Sequence, residues 1–131
     1  CSMRELEEAD AWIEAAKYTL EDNSKGRARF TEVVAQAIHA LIRANDALAL
    51  TFLKKRSTRH EDAAVLFGDL IRQGKVDPKY APLRTLLTRA IAEKSEYDYK
   101  GREVGREAAS RWLRDVERFL GATKEILNRS T

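Results

Sequence analysis

His39 and His60 are the only imidazoles in this 131-residue chain, and Cys1 is its only thiol. Neither histidine has a second histidine or a carboxylate pair at metal-ligand spacing. No glutamate stands three positions before either one, as the Glu-x-x-His pattern of di-iron bundles requires. A single cysteine excludes an intrachain disulfide and a thiolate metal cluster. Serine nucleophile elbows, phosphate-cradling glycine loops and dinucleotide glycine patterns are absent from the sequence, and Gly101-Arg-Glu-Val-Gly105 is too isolated to count as one. The expectation is no metal, no cofactor and no catalytic residue.

Anion binding is the chemistry that remains. Lys54-Lys55-Arg56, with Arg59 and His60, brings five cationic or protonatable groups to the start of an expected helix, whose open N–H groups also favour anions. Lys55, Arg56, Arg59 and His60 are therefore candidate phosphate or RNA contacts. Tyr97 and Tyr99 flank Asp98 near Lys94, Lys100 and Arg102, where rings beside cations can stack bases. They and Arg89 are secondary candidates. The alternative is a solvated basic loop, with the tyrosines anchoring their segment to the core.

On the segment around residues 30–52, Glu32, Gln36, His39, Arg43 and Asp46 recur at steps of four and three and so share one helix face. That face is either a ligand strip or a solvated surface with local pairing of Arg43 and Asp46; the sequence favours the second. Asn45 interrupts an apolar series, 34, 38, 41, 45, 48, 52. A buried amide costs about 1–3 kcal/mol unless its hydrogen bonds are made, so Asn45 is expected to close a bond between helices, with a ligand contact as the alternative.

Five helices carry these residues. Leu6, Ala9, Ile13, Ala16 and Leu20 line one face of a helix from Met3 to Glu21. After the turn residues of Asp22–Gly26, Phe30, Val34, Ile38, Leu41, Leu48 and Phe52 mark a long helix from near Arg27 to about Leu53. Val33, Ala37, Ala40, Ala44 and Ala47 add a second, small-residue stripe, which predicts neighbours on two sides. Thr58-Arg59-His60-Glu61 has the form of a capping box and predicts a third helix from there to Gly74. Gly74–Pro82 reads as a loop, followed by a fourth helix from Leu83 to about Ser95 and a fifth from Val104 to Leu127. The fold class is all-α, an up-and-down bundle of about five helices in a single domain, 1–131.

The net charge of +3 is too small to diagnose nucleic-acid binding, but it is unevenly spread. Residues 1–23 carry Arg4 and Lys17 against seven carboxylates, a charge of −5, which leaves +8 on the rest. The acidic segment is expected to be a solvated helix face. No run of about 18 uncharged apolar residues exists, and Cys1–Glu5 has no signal-peptide character, so no membrane span is expected and the expected location is cytoplasmic.

The helix bearing Trp12, the helix Val34–Leu48, the basic turn Arg56–Asp62 and Tyr97-Asp-Tyr99 before an alanine-rich last helix together resemble the HEPN domains over nearly the whole chain. The resemblance implies a helical bundle that forms a homodimer, with RNA or a nucleotide as ligand and a nucleotidyltransferase-type protein as partner, in a toxin-antitoxin or defence setting. Active HEPN members cut RNA without metal, using an arginine and a histidine with four to six residues between them. Arginine can hold the scissile phosphate while histidine moves the proton.

That motif is missing here. Positions 32–34 before His39 are Glu, Val and Val, and positions 53–55 before His60 are Leu, Lys and Lys. Arg56 stands too close to His60, and Lys55 lacks the planar two-pronged grip of arginine. The resemblance therefore implies the non-nuclease branch: a non-catalytic binding protein. The alternatives are a metal-independent ribonuclease with a displaced motif around His60 and a structural protein-protein interaction module.

Overall fold

The computed structural model describes residues 3–59, 61–99 and 104–129, with backbone alone for Met3, Lys25, residues 94–99 and Arg129. Among them are five α-helices: α1 (Met3–Glu21), α2 (Ala28–Leu53), α3 (Asp62–Arg72), α4 (Leu83–Tyr99) and α5 (Arg106–Arg129), with no strand. The chain is an all-α helical bundle. No helix among these residues is long and apolar enough to cross a membrane.

α2 is the centre. It packs against all four other helices, and both expected stripes are buried: Val34, Ile38, Leu41 and Leu48 on one, Val33, Ala37, Ala40, Ala44 and Ala47 on the other. The alanines are the physical reason a helix can be surrounded, because their short side chains let neighbouring backbones approach. Each large apolar side chain buried here contributes about 1.5–3 kcal/mol. Phe67 of α3 meets Phe119 of α5 at 5.7 Å between ring centroids, closing the core across the bundle. The apolar surface that gave α2 two faces for partners is thus covered within one chain.

Four helix boundaries differ from the sequence reading, one of them simply the end of α5, which runs on to Arg129 instead of Leu127. α3 begins at Asp62 rather than Thr58, because the carboxylate that closes the preceding turn belongs to Asp62 and not to Glu61. The Thr58 hydroxyl and the Arg59 N–H both donate to Asp62 Oδ2, at 2.9 and 3.1 Å. α4 continues to Tyr99 instead of stopping near Ser95. Its apolar rhythm ends with Ile91, but no glycine or proline follows before Gly101, and backbone hydrogen bonds propagate without a rhythm. α5 starts at Arg106, leaving Val104 buried just outside it.

Gly74 ends α3 as expected. Its φ of 73° lets Gly74 N–H reach Ile71 O at 3.1 Å and Lys75 N–H reach Leu70 O at 2.9 Å, the paired bonds of a Schellman turn. Short 3-10 turns follow α1 and precede α4, at Asn23–Lys25 and Pro78–Tyr80.

Candidate functional site

The basic turn leaves the C-terminal end of α2. Lys54 adopts the left-handed conformation at φ 59° and its N–H caps Ala49 O, turning the chain sharply out of the helix. Lys54 is the one non-glycine residue with positive φ among the described residues. Such a conformation costs a side-chain-bearing residue roughly 1–2 kcal/mol.

Two carboxylates pin the turn from beneath. Asp46, 1% exposed, accepts the Ser57 N–H at 3.1 Å and the Ser57 hydroxyl at 2.8 Å on one oxygen, while its other oxygen faces Arg43 Nη1 at 3.5 Å. Asp62 closes the far side through Thr58 and Arg59. The Thr58 hydroxyl bond, then the Arg59 N–H, hold the Asp62 carboxyl below its usual 3.8, because both stabilise the ionised form. Just below, Asn45 Nδ2 donates to Ala63 O at 2.9 Å and fastens the first turn of α3 to α2. This is the helix-to-helix bond expected of Asn45; its Oδ1 is buried with no partner among the described residues.

Lys54, Lys55, Arg56 and Arg59 project from this pinned backbone, all exposed. Among the described residues no carboxylate lies within ion-pair distance of Lys54, Lys55 or Arg56, and Asp62 is the acidic neighbour of Arg59. Three of the four primary candidates, Lys55, Arg56 and Arg59, therefore share one turn. His60 lies outside the described residues, as do the side chains of Tyr97 and Tyr99, whose backbone continues α4. Arg89 is differently placed. It is half-buried on α4, its Nη2 is 3.2 Å from Asp115 Oδ2, and its guanidinium lies 4.5 Å from the Trp112 ring on α5. Its charge is used to join α4 to α5.

The polar stripe of α2 is exposed at Glu32, and Arg43 and Asp46 pair locally as expected, but the rest of the stripe is not a solvated face. Gln36, His39 and Arg43 are half-buried and Asp46 is buried. His39 stacks on Trp12 at 4.8 Å with 20° between the rings, and Arg43 Nε is 3.4 Å from Glu8 Oε2. The stripe packs against α1 because Trp12 and Glu8 offer it a flat aromatic face and a carboxylate. The acidic α1 is likewise partly matched, Asp10 pairing with Lys124 at 2.8 Å; its own cation Lys17 in turn faces Glu117 of α5 at 3.4 Å, which raises that ammonium above its usual 10.5. Such exposed pairs contribute about 0–1 kcal/mol each.

Sequence reasoning missed the anchor of the turn. Asp46 and Ser57 are eleven positions apart and separated by the helix end, so no local pattern links them. Among the described residues no three His, Cys, Asp or Glu side chains gather to hold a metal. Compared with known proteins, the sequence matches no family model and no curated relative.

Proposed function

We propose that this bundle is a non-catalytic, HEPN-like binding protein of the cytoplasm that grips the phosphates of RNA or a nucleotide with the basic turn Lys54–Arg59. The observation that carries the reading is the pinned turn. Lys55, Arg56 and Arg59 are exposed on a backbone held by Asp46 and Asp62, so their cations are presented from a fixed base. A preordered cationic turn loses less conformational entropy on meeting phosphate than a loose loop does. The HEPN resemblance supplies the wider setting: a homodimer, a nucleotidyltransferase-type protein partner, and a toxin-antitoxin or defence role.

The test is an anisotropy titration with short single-stranded RNA at several salt concentrations. Affinity should fall with salt, with a logarithmic slope of about 0.7 per phosphate contact. Arg56→Ala combined with Arg59→Ala should weaken binding and lower that slope by about 1.4. Equal affinity and slope in the double variant would remove the turn as the binding site.

A further inference from the structure

α2 has 26 residues and spans roughly 39 Å, so its N-terminus lies at the far end of the bundle from the basic turn. A cleft of about 600 Å³ opens there, between the first turn of α2 and the start of α5. Arg27, Ala28, Phe30 and Thr31 line one side; Val104, Gly105 and Arg106 line the other. Its volume is within the range of small-molecule sites, about 300–1,000 Å³.

The charges around this cleft are unusual for where they sit. Cations near the start of a helix oppose its dipole, and acidic residues are the favoured type. Here the N-cap of α2 is Arg27 and its first turn holds no acidic residue, while α5 opens with Arg106 followed by the acidic Glu107. Behind Phe30 lies Arg29, 8% exposed, its guanidinium carbon 4.4 Å from the ring centroid. Arg29 donates to Leu20 O, Gly26 O and Asn23 Oδ1, three neutral acceptors that take three of its five N–H groups and bring no carboxylate to its charge.

Arg106 faces the same Phe30 ring at 5.4 Å. The nearest described carboxylate to Arg106 is Glu21 at 3.9 Å, both side chains being about half exposed or more, and Glu107 turns to Arg111. The result is a positive cleft with an apolar wall of Ala28, Val104 and the accessible part of Phe30. Arg27 breaks the local electrostatic rule without making a side-chain cap hydrogen bond that would serve the fold, and such positions are where binding sites are expected.

We infer that this cleft binds a small phosphorylated organic molecule, its phosphate held between Arg27 and Arg106 and its body against the apolar wall, with the Thr31 hydroxyl as a further hydrogen-bonding group. The site is independent of the basic turn.

Phenyl phosphate is the probe, compared with inorganic phosphate and phenol at matched ionic strength, with backbone amide shifts of the full chain as the readout. Phenyl phosphate should bind saturably and shift amides of residues 27–31 and 104–106, and should bind more tightly than either half-molecule. Arg27→Gln with Arg106→Gln should weaken it about tenfold or more, the loss of at least one charge-assisted hydrogen bond. Arg56→Gln with Arg59→Gln should leave it unchanged, which separates this site from the turn.

Shifts confined to residues 54–59, full affinity in the Arg27/Arg106 variant, or no saturable binding at millimolar phenyl phosphate would each overturn the inference. Ligand-free stability gives a second readout. Arg27→Gln alone should raise Tm by about 1–4 °C as the clash with the helix dipole is relieved. A lowered Tm would mean that Arg27 serves the fold, and the inference would fail.

Discussion

Asp46 near the end of α2 accepts both the N–H and the hydroxyl of Ser57, at 3.1 and 2.8 Å, and so ties the turn that carries the cations to the helix it leaves. The bond has a consequence whose sign separates two ideas of the turn. Removing a negative charge beside a basic surface strengthens phosphate binding if charge alone matters. It weakens binding if Asp46 holds the cations in place.

Asp46→Ala should destabilise the fold by about 2–3 kcal/mol, since it strips a buried carboxylate from Ser57 and Arg43. It should also weaken RNA binding. Urea unfolding gives the first quantity and anisotropy the second; tighter RNA binding by the variant would show that the turn needs no anchor.

Lys54 is a lysine in a glycine conformation, at φ 59°. Lys54→Gly should therefore stabilise the protein by about 1 kcal/mol, because the left-handed penalty disappears and outweighs the extra unfolded-state entropy of glycine. The thermal midpoint should rise by several degrees. If Lys54 also touches phosphate, the salt slope of RNA binding falls by about 0.7; an unchanged slope assigns the contacts to Lys55, Arg56 and Arg59.

The register of the core was legible in the sequence because burial follows helical spacing: residues 34, 38, 41 and 48 of α2 are all inside. Asn45 was legible for the opposite reason, as a polar group where the pattern demanded an apolar one, and its bond to Ala63 O explains it. The polar stripe misled because spacing shows which residues share a face, not what lies opposite; Trp12 of α1 turned that face inward. Asp62 in place of Glu61 as the closing carboxylate was beyond a motif reading, since both acids stand at the same helix start and only backbone geometry chooses between them. Arg29 carried no signal at all, because its three acceptors are two backbone carbonyls and an asparagine from the preceding turn.

The closure of the turn by Asp62 is pH-dependent. Its folded-state pKa is depressed by the Thr58 hydroxyl and the Arg59 N–H. A carboxyl depressed on folding contributes stability that is present above its unfolded value, near 3.8, and is lost as pH falls through the lower folded value. Stability should decline on acidification below about pH 5, and Asp62→Asn should decline less steeply over the same range. Parallel acid titrations monitored by circular dichroism make the comparison; identical slopes would mean that Asp62 is not held in its ionised form.

Arg29 gives the sharpest prediction about the fold. Its Nε, Nη1 and Nη2 reach Leu20 O at 3.1 Å, Gly26 O at 2.7 Å and Asn23 Oδ1 at 3.3 Å, joining the end of α1, the connecting turn and the start of α2. A lysine has one nitrogen on a flexible stem and cannot meet three acceptors in a fixed fork. Arg29→Lys preserves the charge but loses at least one of these bonds, and should destabilise by about 1.5–3 kcal/mol. Hydrogen exchange should quicken at the end of α1 and the start of α2 before it does at the centre of α2, where Leu41 and Ala44 are fully buried. Wild-type stability in Arg29→Lys would show that the charge, and not the fork, holds this corner together.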